Sequence, residues 1–158
     1  MSELDSKLAA VAARQRMLIT IADVHRAGGS HHHAQRRLEG GRWTTVDHGV
    51  YLIAGAPLDW TTRQLAAVLA AGRGAVASHL AAARLLELPG FASAGVEVSI
   101  PRGRRYRRSR VRTHESTDLE RCTIIRRHGV PLTDPSRTIL DLGRYVSADR
   151  LRRIVESA

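Results

Sequence analysis

At 158 residues the chain is long enough for one ordinary domain or two small ones, and its 43% hydrophobic and 25% charged residues exclude a disordered or low-complexity protein. No apolar run reaches the roughly 18 residues of a membrane-spanning helix, and an N-terminus with Glu3 and Asp5 lacks a secretory signal core, so the expected compartment is cytoplasmic with no membrane partner. A net charge of +10 points to a polyanionic partner.

Residues 3–17 read as a helix, with Leu4, Leu8, Val11 and Ala12 forming one apolar stripe. Thr20 can cap a short second helix through Ala27, with Asp23 favoured at its N-terminus and Gly28-Gly29 ending it. Ser30 caps a third helix, which runs to Glu39 and stops at Gly40-Gly41. The period then changes. Trp43-Thr44-Thr45-Val46 and Val50-Tyr51-Leu52-Ile53 read as strands, joined by a three-residue loop, Asp47-His48-Gly49, with a left-handed glycine last. Gly55-Ala56-Pro57 is the expected boundary.

Beyond it, Asp59 caps a helix through Ala71, and Ser78 caps another through Leu88, stopped by Pro89-Gly90. Val96, Val98 and Ile100 alternate with Glu97 and Ser99, the pattern of a half-buried strand with its polar side outward. Residues 110–114 and 122–126 read as further strands. Asp134-Pro135 and Ser147 start the last two helices, and the chain stops inside the second. That ending reads as a longer protein cut there.

Two segments carry the chemistry. In a helix-turn-helix the third element enters the major groove. Here Ala34 and Leu38 can face the core, leaving His32, Gln35, Arg36 and Glu39 on the other faces. Gln pairs with adenine and Arg with guanine, and the hairpin at Asp47-His48-Gly49 is the wing. The expected DNA contacts in this unit are Ser30, His31, His32, Gln35, Arg36, Arg37, Arg42, Thr44 and His48. The second segment is the basic run 101–110, read as a hairpin loop between two strands. Residues 101–128 hold ten of the 25 basic residues against three acids. Arg102, Arg104, Arg105, Arg107, Arg108 and Arg110 are the expected phosphate contacts, with Tyr106 available to stack. RNA is the other polyanion such a loop could hold.

No metal site, cofactor or catalytic residue is expected. Three adjacent histidines, His31-His32-His33, splay around a helix and cannot face one ion, and the single cysteine, Cys122, excludes a multi-cysteine zinc site. Ser78-His79 is a poor nucleophile–base pair, because adjacent helical residues point about 100° apart; Ser78 reads as a cap. Arg137 and Asp141, at i and i+4, read as a surface ion pair.

A family resemblance runs through the chain in order. Its residues are Arg42-Trp43 with Gly49-Val50-Tyr51, and Ala77-Ser78-His79 with Ala81-Ala82-Ala83 and Leu88. Val98-Ser99-Ile100-Pro101, Val111-Arg112-Thr113-His114, and the segment from Gly129-Val130-Pro131 through Asp134-Pro135-Ser136-Arg137-Thr138 to Asp141-Leu142 complete it. In these the chain resembles the AbiEi-like antitoxin and transcriptional-regulator family of type IV toxin–antitoxin systems, in its actinobacterial form. The resemblance implies a winged helix-turn-helix that binds operator DNA and an α/β antitoxin domain. It also implies autorepression of an operon with a nucleotidyltransferase-type toxin, countered without stable contact. The expected fold is therefore α+β: a winged helix-turn-helix over residues 1–56, then a helix-rich α/β unit with a small sheet over residues 57–158. The expected function is a sequence-specific DNA-binding repressor and not an enzyme. The alternative is the DNA-targeting part of a very-short-patch-repair-like endonuclease whose catalytic domain lies beyond residue 158.

Overall fold

The computed structural model describes residues 2–157. The chain mixes helix and strand and divides into two compact units, one ending at Ala70 and the next starting at Ala71.

In the first unit, α1 (Glu3–Arg14) starts at a capping box: the Asp5 amide donates to Ser2 Oγ at 3.2 Å, and the Asp5 carboxylate accepts from Ser2. Leu8 and Ala12 are buried on its inner face. The helix does not run to residue 17 as its apolar spacing suggested. Arg16 and Met17 take left-handed backbone angles, φ +52° and +64°, and the Met17 amide turns back to the Ala12 carbonyl at 2.8 Å. The reversal sends Leu18–Thr20 into a short strand, β1, which the sequence reading missed. α2 (Ile21–Arg26) follows at once, capped by Thr20, whose Oγ1 accepts from the Asp23 amide at 3.0 Å. Burial alone would raise the Asp23 pKa. Bonds from Thr20, Gln15 and Arg26 more than offset it and hold the carboxyl below its ordinary value.

Gly28 (φ +92°) and Gly29 turn the chain into α3 (His31–Glu39). A methyl group on Gly29 would stand 2.8 Å from Val24 Cγ1, so the turn needs a residue without a side chain. β2 (Trp43–Asp47) and β3 (Val50–Ile53) form a hairpin, and with β1 they make an antiparallel sheet in the order β1-β3-β2. The register slips between Thr45 and Asp47, and Asp47 pairs with Val50. Only His48 and Gly49 are left at the tip, one residue fewer than expected, with Gly49 at φ +66°. Leu8, Ala12, Ile19, Val24, Ala34 and Trp43 form one core, with Leu38, Tyr51 and Ile53 packed against it. The unit continues past Gly55-Ala56-Pro57 into α4 (Trp60–Ala71). Arg16 ties that helix down by donating to Asp59 Oδ2 at 2.7 Å and to Thr62 Oγ1 at 3.1 Å.

The second unit holds β4 (Val76–Ala77), α5 (His79–Leu85), β5 (Val96–Pro101), β6 (Val111–Ser116), β7 (Ile124–Arg127), β8 (Val130–Thr133), α6 (Pro135–Leu142) and α7 (Ala148–Ser157). The sheet order is β6-β5-β4-β8-β7. α5 ends three residues short of Leu88, because Glu87 turns left-handed at φ +59° and the Leu88 amide closes on the Ala83 carbonyl at 3.0 Å. α6 begins where expected, with Asp134 Oδ1 accepting from the Ser136 amide at 2.8 Å.

Residues 101–110 are not a hairpin loop. β5 and β6 run parallel, from Val96 opposite Val111 to Pro101 opposite Ser116. The basic segment is therefore a crossover that returns along the length of the strands. Tyr106 explains how so charged a crossover stays ordered. Its ring is buried, while every arginine from Arg102 to Arg110 is exposed.

Candidate nucleic-acid interface and a histidine cluster

Ala34 is buried and Leu38 half-buried, which fixes the phase of α3. His31, His32, Gln35 and Arg36 are exposed, as are Ser30 before the helix and Arg42, Thr44 and His48 on the hairpin. The histidines do splay. His31 packs edge-on against His25, with ring centroids 4.9 Å apart. His33 Nδ1 accepts from the Ser30 amide at 3.1 Å, and His32 stays in solvent. Gln35 donates to Glu39 across one turn at 2.9 Å, a bond that an adenine edge could replace. Arg37 is different from the other expected contacts. It pairs with Asp5 and lies over Trp43 at 5.6 Å, with its side chain only 12% exposed, so it braces α3 against α1.

In the second unit all six expected arginines are exposed. Tyr106 cannot offer its ring to a base, being buried. Arg108 covers it from outside at 5.2 Å.

The structure also gathers a polar cluster whose members are spread over 68 residues of sequence. It forms where α5 and α6 cover the side of the sheet carrying Glu97, Ser99 and His114. His79 leaves β4 with φ +53°, in the left-handed region, which non-glycine residues enter uncommonly and histidine more readily than most. That twist undoes the 100° separation expected of Ser78 and His79, and His79 Nδ1 lies 2.9 Å from Ser78 Oγ. Ser78 Oγ in turn accepts from Ser99 Oγ at 2.7 Å. The His79 ring stacks on His114, with centroids 3.7 Å apart and planes 14° from parallel. His114 Nε2 is 2.7 Å from Glu97 Oε1, and Glu97 Oε2 accepts from the Leu80 amide at 2.9 Å. Glu97 and Ser99 are both buried, against the expectation of a solvent-facing side, because α5 lies over them.

Asp141 stands behind His79, its Oδ2 3.9 Å from Nδ1 and without a hydrogen-bond partner although buried. Its other oxygen accepts from Arg137 Nε at 2.9 Å. The i,i+4 pair is thus present, but it is enclosed, with side chains 20% and 12% exposed. Arg137 also reaches Asp118 at 2.9 Å. Tyr145 meets both imidazole rings edge-on, 5.7 and 6.5 Å between centroids. Burial pushes the His79 pKa down, and the adjacent His114 adds to that. Asp141 and Glu97 oppose the shift without cancelling it. A cavity of about 470 Å³ opens over the cluster, lined by both histidines, Ser116, Arg137, Asp141 and Arg144 among others. Among the described residues, no group of three or more His, Cys, Asp or Glu is placed to hold a metal ion, and no helix is long and apolar enough to cross a membrane.

No family model matches the chain, and no curated protein sequence does. Among solved structures it is similar to the crystal structure of the RV2827C protein from Mycobacterium tuberculosis. The two share 15% identity with a TM-score of 0.50, over 99% of this chain and 72% of that one, a likeness of fold.

Proposed function

We propose that this protein is a sequence-specific DNA-binding transcriptional repressor whose first unit is a winged helix-turn-helix. The observation that carries the reading is the face of α3. Ala34 and Leu38 anchor the helix in the core, and His32, Gln35 and Arg36 stand on its solvent side. This mixture suits base edges better than phosphates, since Gln and Arg make two-pronged contacts to adenine and guanine. The hairpin tipped by His48 and Gly49 supplies the wing, with Arg42 and Thr44 exposed beside it. The arginines of the 102–110 crossover add phosphate contacts that do not read sequence. With the family resemblance, the reading extends to an antitoxin that represses its own operon and counters a nucleotidyltransferase-type toxin without stable contact.

The test is selection from a random duplex library with the wild type and with a Gln35→Ala/Arg36→Ala variant. An enriched motif for the wild type, lost or relaxed in the variant, is the expected result. A library without enrichment, or a motif that the variant selects equally well, refutes base reading by α3.

A further inference from the structure

The geometry points to a second activity in the second unit: cleavage of an RNA phosphodiester by the paired imidazoles His79 and His114. The substrate class rests on the nucleic-acid reading above; the chemistry rests on the cluster itself. Each imidazole is held by one nitrogen and lines the cavity. His114 gives Nε2 to the buried Glu97, which leaves Nδ1. In the tautomer that cleavage requires, His79 Nδ1–H donates to Ser78 Oγ, with Asp141 Oδ2 3.9 Å away, which leaves the Nε2 lone pair. A carboxylate behind an imidazole fixes its tautomer and stabilises the cation formed when it takes a proton. Glu97 is such a carboxylate for His114; Asp141 Oδ2 stands 3.9 Å from His79 without a hydrogen bond to it, and the two rings are stacked with centroids 3.7 Å apart.

Packing alone does not account for three features. His79 keeps a left-handed backbone where a strand enters a helix, and strain of this kind persists only where the surroundings enforce it, often at working sites. Asp141 Oδ2 is buried beside His79 with its hydrogen-bonding capacity unused. Glu97, a charged residue on a strand, is buried in contact with the second histidine, and it shares that charge with the Leu80 amide at 2.9 Å and Arg112 at 3.7 Å.

RNA fits because it brings its own nucleophile. His79 Nε2, neutral because its pKa is depressed, takes the proton of a ribose 2′-hydroxyl. The 2′-oxygen bonds to the adjacent phosphorus, the bond from phosphorus to the 5′-oxygen breaks, and His114 Nδ1 protonates that leaving oxygen. The products are a 2′,3′-cyclic phosphate and a 5′-hydroxyl, with no water or other reagent consumed. Arg144 lines the cavity and can meet the charge on the phosphate; Arg137 lines it too, already paired with Asp118 and Asp141, and Glu115 is the remaining charged group of the lining. The 102–110 crossover starts beside it, the Arg102 amide donating to the Ser116 carbonyl at 3.0 Å, so a strand held by the arginines has a route to the imidazoles.

The experiment uses the full chain and a single-stranded oligodeoxynucleotide with one internal ribonucleotide, against an all-deoxy control, with binding followed by fluorescence anisotropy and products by mass spectrometry. The expected result is binding of both strands and cleavage of the first alone, 3′ of the ribose, giving the cyclic phosphate. His114→Gln and His79→Gln, checked for folding by circular dichroism, should each lower the rate about 100-fold or more while binding persists. Binding without cleavage overturns the proposed chemistry and leaves the nucleic-acid reading standing. Absence of binding to any nucleic acid overturns the nucleic-acid reading, and this proposal with it. Cleavage of the all-deoxy strand, or an unchanged rate in a folded His114→Gln protein, assigns the activity elsewhere.

Discussion

A histidine with φ +53° between a strand and a helix holds a conformation that most residues avoid, and His79 also packs its ring against a second imidazole. Burial and the neighbouring His114 disfavour its protonated form in the folded state. The unfolded chain therefore takes up the proton first as pH falls. The stability associated with neutral His79 is fully present above its ordinary pKa of 6.5 and is lost as pH drops through the lower folded value. Protection factors for amide hydrogen exchange in α5 and β5, taken relative to the intrinsic rate at each pH, should fall on acidification from pH 7.5 toward 5, and His79→Gln should flatten that dependence. Equal acid sensitivity in both proteins would show that another group controls the response. Ser78 and His79 are both legible in the sequence, and the step of about 100° between neighbours separates them if both belong to one helix. The rule does not apply because His79 is left-handed, which no local residue preference announces. Glu97 and Ser99 were legible as one side of a strand, but alternation cannot say whether a helix later covers that side. The signal that was present is the pairing of Glu97 with two histidines distant in sequence, and only the parallel register of β5 with β6 brings His114 opposite Ser99.

Helices were more legible than strands at the scale of elements, and capping chemistry is the reason. Ser2, Thr20, Ser30 and Asp134 each stand at the start of a helix, and three of these were readable as polar residues before an apolar period. β1 and β4 are three and two residues long, too short for a period to show; β8, at four, has Pro131 within its run, which argues against a strand. The phase of α3 was read correctly from Ala34 and Leu38. Leu38 is packed against the core but half-buried, so Leu38→Ala should cost about 2 kcal/mol, the low end for such truncations. Chemical denaturation of the full chain measures this, and an unchanged midpoint for the first unit would mean the helix is turned differently. The crossover at 102–110 was recognised as a basic loop and misread as a hairpin, since strand polarity leaves no mark in composition. Its one buried side chain makes a further prediction. Tyr106→Ala should release the loop, and trypsin should cut at Arg104, Arg105, Arg107 or Arg108 several-fold faster than in the wild type. A cleavage rate equal to the wild type's would mean that the backbone, not the tyrosine, orders the crossover.

For the molecule as a whole, the excess of basic charge and the proposed reading face belong to different units, so on the proposed function affinity and specificity should be separable. Residues 1–60 are close to neutral, with seven basic and six acidic side chains, whereas residues 101–128 carry ten against three. On the proposed function the first unit would bring a mixed polar face with little net attraction, and the second attraction with little discrimination. Each neutralised phosphate should contribute a slope of about −0.9 to the logarithm of affinity against the logarithm of salt on duplex DNA. Replacing Arg104, Arg105, Arg107 and Arg108 with Ser should weaken operator and random duplex by similar factors and flatten that slope. Gln35→Ala with Arg36→Ala should lower operator affinity selectively, by about 1–3 kcal/mol for each base pair read, and change the slope by no more than the one arginine allows. Titrations of both variants on both duplexes at several salt concentrations distinguish the roles. If the loop variant loses operator preference while the α3 variant keeps it, the two surfaces have been assigned the wrong way round. If the loop variant binds duplex DNA as the wild type does, its arginines serve another polyanion, and the single-stranded RNA of the cleavage experiment becomes the ligand to titrate against them.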